Sequence, residues 1–194
     1  MLERAGPVSR RKHTVADRRV ALLRGINVGR AKRIAMADLR ALFAALGYDD
    51  VRTLLNSGNV VFSVPKPARE DPAPRIEKAM ASKLGVPSRV IVLTADEVAV
   101  AVDRNPLRKL AVDPSRLQLM VLAHPGLRSG LTALAKQSWT PEALAAGARV
   151  DYLWCPAGTI AGRLMPAVNR VVGDLGTVRN LATMTKLSAL MAGE

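Results

Sequence analysis

The chain has 194 residues, of which 49% are hydrophobic, which is enough for one compact domain or two small halves around a shared core. Its 29 Lys and Arg against 16 Asp and Glu give a net charge of +13, which favours anionic partners. No apolar run reaches the ~18–20 residues that span a bilayer, no secretion signal precedes the first apolar run, and one cysteine excludes an internal disulfide. We therefore expect a cytoplasmic protein with no membrane partner.

The first segment, residues 1–18, is basic and has almost no apolar periodicity. This composition predicts a disordered basic tail, so we expect the fold to begin at about Arg19.

The next elements predict a strand, a helix and a hairpin. Residues 20–23 form an apolar run that ends in a glycine-rich turn, which is typical of a buried strand. Apolar residues at helical spacing follow and end at Gly47. Residues 51–55 and 60–64 predict two strands joined by the Ser57-Gly58 turn.

The rest of the first half predicts two capped helices around a strand. Asp71 is a helix N-cap followed by proline, and Gly85 ends that helix. Residues 89–93 predict a strand. Thr94 and Glu97 have the spacing of a capping box for the next helix.

The second half predicts elements in a similar order. Residues 117–123 predict a strand, and a helical stretch follows that is interrupted at Gly130 and restarts at Thr140-Pro141. Two further strands, residues 149–154 and 159–164, flank a Pro-Ala-Gly turn, and Thr177 is the expected cap of the last helix.

The repeated element order predicts a duplicated α+β fold. Each half is expected to follow the order β-α-β-β-α, with an added β-α in the first, and helices are expected to pack on mixed or antiparallel sheets. The predicted boundaries are residues 19–105 for the first half and 106–194 for the second, together one compact unit.

Three segments resemble one bacterial protein family. They are Leu-Leu-Arg-Gly-Ile-Asn-Val-Gly from Leu22, Ser-Gly-Asn-Val-Val-Phe from Ser57, and the Arg179-Asn180…Thr183…Lys186-Leu187 pattern. In that order they resemble the family known as domain of unknown function 1697 (DUF1697), from about residue 19 to residue 190. The resemblance implies an α/β plait with ferredoxin-like halves, and it carries over no catalytic residue.

Two positions depart from the family's pattern. Leu181 stands where the family usually has Trp, and Gly162-Arg163 stands where it usually has Ser-Lys. If these positions contact a ligand in relatives, the contact differs in this chain.

The loop after the first strand is the best candidate for an anion site. Gly25 and Gly29 allow close backbone approach, and the loop leads to a helix N-terminus, whose free N–H groups attract anions. The spacing matches neither a Walker A loop nor a dinucleotide fingerprint. The alternative is a solvated basic loop whose glycines serve geometry. The basic residues around it are Arg24, Arg30, Lys32 and Arg33.

Asparagines and one arginine complete the candidate site. Asn27, Asn56 and Asn59 either point amides at a shared ligand or serve tight turns. Arg179 is expected at a helix start, where a cation opposes the macrodipole, so a ligand is one reason for its placement. We expect one concave basic surface. The predicted ligand-binding residues are Arg24, Asn27, Arg30, Asn59, Arg179 and Asn180.

The sequence offers little support for catalysis. No G-x-S-x-G surrounds Ser57, His124 precedes a turn, and Cys155 is expected to be a packed thiol. No clustered ligands predict a metal, and no motif predicts a cofactor. Whether the protein is an enzyme stays open, as does its oligomeric state.

The sequence therefore favours a protein that binds an anionic ligand, either nucleic acid or a phosphorylated metabolite. The alternatives are an enzyme acting on a small phosphorylated or nucleotide-like substrate, and a protein-interaction module.

Overall fold

Two four-stranded antiparallel sheets organise the computed structural model, which describes residues 17–27, 33–65 and 70–193. The strand orders are β2-β3-β1-β4 and β6-β7-β5-β8, so the two halves have the same topology. The elements of the first half are β1 (Asp17–Leu23), α1 (Met36–Ala45), β2 (Asp49–Leu54), β3 (Asn59–Val64), α2 (Pro72–Leu84), β4 (Val90–Thr94) and α3 (Ala95–Asp103).

The second half repeats this order completely, with a short 3-10 turn, Pro125–Leu127, before its first helix. Both halves are therefore β-α-β-β-α-β-α, the ferredoxin-like order followed by one more helix. The added β-α unit predicted for the first half alone is present in both. The elements of the second half are β5 (Leu117–Leu122), α4 (Arg128–Ala135), β6 (Ala143–Ala146), β7 (Val150–Trp154), α5 (Leu164–Val172), β8 (Gly176–Asn180) and α6 (Leu181–Ala192).

The apolar residues form three layers of core. Helices α1 and α2 cover the outer face of the first sheet, and α4 and α5 cover the outer face of the second. Between the sheets, α3 and α6 share one core with the inner faces of both, including Leu22, Leu93, Leu119, Tyr152 and Leu187. Because each strand alternates its side chains between two faces, every central strand contributes to two of these layers.

Local signals in the first half are confirmed. The Asp71 side chain accepts a hydrogen bond from the Ala73 N–H, and Gly85 ends α2 at φ 64°. Thr94 and Glu97 form the reciprocal capping box of α3. These signals are local in sequence, so they are readable without the fold.

The tail boundary needs a small correction. Strand β1 begins at Asp17, so Asp17 and Arg18, which were assigned to the tail, belong to the first sheet. The Arg18 guanidinium donates to the Met191 carbonyl at 2.9 Å, and Arg19 pairs with Asp17 at 2.9 Å. The rest of the predicted tail, residues 1–16, lies outside the described residues.

The second predicted hairpin is displaced along the chain. Residues 143–146, predicted to be helical, form β6 and pair with β7, because tertiary pairing overrides the helical preference of alanine. Residues 159–163, predicted to be a strand, form turns before α5. The Glu142 carboxylate fixes this helix start by accepting hydrogen bonds from the Arg163 and Leu164 N–H groups at 2.8 and 3.0 Å.

Gly130 does not interrupt a helix. It lies inside α4, and a Cβ at this position would come within 2.6 Å of Val171 Cγ1. The glycine therefore lets α4 pack closely against α5.

The last helix begins later than predicted. Residues 176–180 form β8 and pair with β5, so Thr177 is a strand residue. The cap of α6 is Asn180, whose side-chain oxygen accepts from the Thr183 N–H at 2.8 Å. Arg179 therefore lies in a strand, and it does not share a helical face with Thr183 and Lys186.

Candidate functional site

Arg179 links the two halves from the interior. It is 9% exposed, and its Nη2 donates to the Leu23, Ser57 and Gly58 carbonyls at 2.8, 3.1 and 3.3 Å. Its Nε donates to Asn59 Oδ1, and its Nη1 donates to Thr177 Oγ1 and the Val178 carbonyl at 2.9 and 2.8 Å. The guanidinium donates toward protein acceptors from all three nitrogens.

The charge of Arg179 is buried without a counter-ion among the described residues. Burial lowers the pKa of its guanidinium to about 10, which still leaves the group protonated at neutral pH. Carbonyl dipoles, one amide oxygen and one hydroxyl oxygen therefore solvate the charge.

Asn59 anchors the turn that Arg179 binds. It is fully buried, and its Nδ2 donates to the Leu54 carbonyl and to Ser57 Oγ at 2.9 and 3.0 Å. Its Oδ1 accepts from Arg179, so both ends of the amide are used inside the protein. The structure thus brings Asn59 and Arg179 together, but beneath the surface and not on the concave basic surface that the sequence predicts.

Asn27 holds the first loop against the same turn. It adopts φ 55°, a left-handed conformation that Asn tolerates. Its Nδ2 donates to the Ile34 and Asn56 carbonyls at 3.1 and 2.8 Å, and its Oδ1 accepts from the Ile34 N–H at 2.7 Å. The amide therefore fixes the chain that leads into α1.

A cleft of about 440 Å³ opens at the beginning of α1. The residue before this helix, Ala35, makes no side-chain cap hydrogen bond, so the first-turn N–H groups receive no acceptor from the N-cap side chain. We call this the α1 cleft. Its lining residues are Asn27, Arg33, Ile34, Ala35, Met36 and Asn56.

Arg24 lies in a different cleft, at the junction of the two halves. Its backbone N–H donates to the Arg89 carbonyl at 2.9 Å, and its Nη1 donates to the Gly176 carbonyl in the second half. This seam cleft has a volume of about 520 Å³. Its lining residues are Arg24, Gly25, Glu77, Ala81, Pro87, Ser88, Arg89 and Asp174.

The predicted ligand residues therefore divide into separate groups. Arg24 and Asn27 line different clefts, and Arg179 and Asn59 form the buried framework between the halves. Asn180 caps α6, and Arg30 lies outside the described residues. Ligand contact by these residues stays a prediction.

Cys155 is a packed thiol in the second half. It is fully buried, and burial, with a smaller contribution from the Glu142 carboxylate, raises the pKa of its thiol to about 11. The thiol is therefore protonated at neutral pH and poorly suited to nucleophilic attack.

Within the described ranges, no group of three or more His, Cys, Asp or Glu side chains could hold a metal ion.

Sequence reasoning missed the seam cleft residues Glu77, Ser88, Arg89 and Asp174. The signal was indirect: β4 runs antiparallel to β1, so the start of β4 must adjoin the end of β1, where Arg24 lies. Asp174 comes from the other half, so its placement depends on how the two halves pack.

The repeated element order and sheet topology define a duplicated α+β protein with ferredoxin-like halves. A model of the family described as "Protein of unknown function (DUF1697)" matches residues 17–152, and the chain belongs to this family. The matched range covers the first loop and the first hairpin, and it ends before the Arg179-Asn180 pattern.

A solved structure supports the fold. A conserved bacterial protein from Streptococcus pneumoniae is similar to this chain, with a TM-score of 0.74 and 20% sequence identity. The alignment covers 90% of this chain and 98% of that one.

A search of curated proteins found no match to the chain. No helix of the described ranges is long and apolar enough to cross a membrane.

Proposed function

We propose that the protein binds an anionic, phosphate-bearing ligand at the α1 cleft. The observation that carries the proposal is the beginning of α1, a ten-residue helix whose first turn has no side-chain cap and borders an open cleft. The N–H groups of a helix N-terminus and its dipole together favour a phosphate.

Side chains around the cleft add to this preference. Arg33 is exposed on the cleft lining, and a guanidinium suits a phosphate because its N–H groups match two phosphate oxygens. The side chain of Asn56 is also exposed on the lining. Asn27 contributes indirectly, since its amide is fully used in holding the loop to the hairpin turn.

The charge of the whole chain favours nucleic acid as the source of this phosphate. A net charge of +13 attracts a polyanion more strongly than it attracts a small metabolite. The alternative is a small phosphorylated metabolite, either as a ligand or as an enzyme substrate, and the cleft volume of about 440 Å³ is large enough for one.

Salt dependence distinguishes these two ligands. Binding of a labelled short oligonucleotide is measured by fluorescence anisotropy between about 50 and 200 mM salt, and a polyanion should give a steep loss of affinity. If the natural ligand is a small phosphorylated metabolite, a nucleoside monophosphate titrated by calorimetry over the same salt range should show only a shallow loss of affinity.

Arg33→Ala tests the site itself. We expect about 10-fold weaker binding, and for an oligonucleotide a salt slope smaller by about one. The matched control is Arg108→Ala, which removes another exposed arginine outside the lining of the α1 cleft. Equal losses from both variants, or no binding of either probe, would contradict the proposal.

A further inference from the structure

The seam cleft differs from the rest of the molecule in its charge. Its lining contains two arginines, Arg24 and Arg89, and two carboxylates, Glu77 and Asp174. A smaller cleft of about 140 Å³ shares Glu77 and Arg89 with it and adds one more charge of each sign, Asp71 and Arg149. The positive and negative charges that line the two adjoining clefts are therefore equal in number, whereas the whole chain carries a net charge of +13.

Several of these charges are already used by the protein. Glu77 accepts from Arg89 Nη1 at 3.2 Å and from the Val90 N–H at 2.8 Å, and Asp71 caps α2. Arg149 pairs with Glu97 at 3.0 Å. Such groups shape the two clefts and have little capacity left for a ligand.

Asp174 and Arg24, in contrast, keep hydrogen-bonding capacity that the protein itself does not use. Asp174 is exposed and takes part in none of the hydrogen bonds or ion pairs of the described residues. The Arg24 guanidinium makes one such hydrogen bond, from Nη1 to the Gly176 carbonyl, which leaves its other N–H groups available. Each comes from a different half, and Gly176 is two residues from Asp174, so the two side chains belong to the same rim.

We propose that the seam cleft binds a small zwitterion of the α-amino-acid class. Arg24 receives the carboxylate, Asp174 receives the ammonium group, and the apolar wall of Ala81 and Pro87 receives the side chain. A simple anion would meet the two carboxylates of the cleft, and a simple cation would meet its two arginines. A ligand with both charges avoids both penalties.

The size and position of the cleft agree with this ligand. A volume of about 520 Å³ lies within the range of ~300–1,000 Å³ typical of small-molecule sites, and such sites favour the junction between two structural units. The inference is independent of the α1 cleft, which shares no lining residue with this one.

The test begins with a thermal-shift screen of the full-length protein against each standard L-amino acid. Any amino acid that raises the melting temperature is then titrated by calorimetry, together with its N-acetyl and its carboxamide derivatives. We expect both derivatives to bind at least about 10-fold more weakly than the free amino acid, because each lacks one of the two charges.

Variants assign the binding to the cleft. Asp174→Asn should weaken the free amino acid by about 10-fold or more and leave the melting temperature of the unliganded protein unchanged. The matched control is Asp103→Asn, which changes another exposed carboxylate, at the end of α3, that does not line the cleft. Arg24→Gln should also weaken binding of the free amino acid, because it removes the guanidinium proposed to contact the ligand carboxylate.

Three results would overturn the inference. They are no amino acid that binds, equal binding of the N-acetyl derivative, or an unchanged affinity in Asp174→Asn. Arg33→Ala should leave amino-acid binding intact, so failure at the α1 cleft and failure at the seam cleft are separate outcomes.

Discussion

Arg179 shows how a charged residue can stabilise a fold from the interior. A buried guanidinium without a carboxylate needs hydrogen bonds in several directions at once, and the ends of β1 and of the first hairpin provide them. Most of the acceptors are backbone carbonyls, and such buried groups need hydrogen-bond donors of their own. The residue therefore fixes the position of the hairpin turn relative to the second half.

Replacing Arg179 with Lys tests this role. The charge is retained, but an ammonium has three donors and no planar fork, so several carbonyls lose their partner. We expect the free energy of unfolding to fall by about 2–4 kcal/mol, measured by urea denaturation. The control Arg170→Lys, at an exposed position of α5, should change it by less than about 0.5 kcal/mol. Normal stability with lost phosphate binding would instead make Arg179 a ligand residue.

The first hairpin turn is held from two sides, and its Asn56 lines the α1 cleft. Arg179 binds its Ser57 and Gly58 carbonyls from one side, and Asn27 binds its Asn56 carbonyl from the other. Gly58 has φ 79°, and a Cβ there would lie 2.8 Å from Leu23 Cβ and 2.9 Å from Ile26 Cδ1. The turn therefore packs directly on the end of β1, and glycine is needed both for its conformation and for the contact.

Gly58→Ala should destabilise the protein by about 2–4 kcal/mol, because left-handed strain and a steric overlap act together. The control is Gly47→Ala, since Gly47 has φ 81° but no atom within 4 Å of the added Cβ. We expect this control to lose about 1 kcal/mol from strain alone. The two melting curves are compared under identical conditions, and equal losses would show that the close contact is unimportant.

At the scale of the molecule, the two halves depend on one another. The core between the sheets takes Val20 and Leu22 from one half and Leu119, Tyr152 and Leu187 from the other. Polar contacts cross the same junction, including the Tyr152 hydroxyl, which donates to the Ala101 carbonyl at 2.8 Å. An isolated half would expose the apolar side chains that its sheet and its last helix bury against the other half.

We therefore expect neither half to fold alone. Residues 17–113 and 114–194, expressed separately, should lack a cooperative thermal transition and should bind a hydrophobic dye. The full chain is the control and should unfold in one transition. A sharp, dye-free transition in either isolated half would show that each is an independent domain.

The sequence by itself determined the α+β class, the family, and most of the first half. Caps such as Asp71 and Thr94 act on neighbouring N–H groups, and the Ser57-Gly58 turn joins adjacent strands, so these features are encoded locally. Only the tertiary structure decided that residues 143–146 form a strand, because β7 provides their hydrogen-bonding partner. The same holds for the candidate sites: Asp174 reaches Arg24's cleft, and Arg179 is enclosed, only because the two halves pack across a shared core that local sequence does not encode.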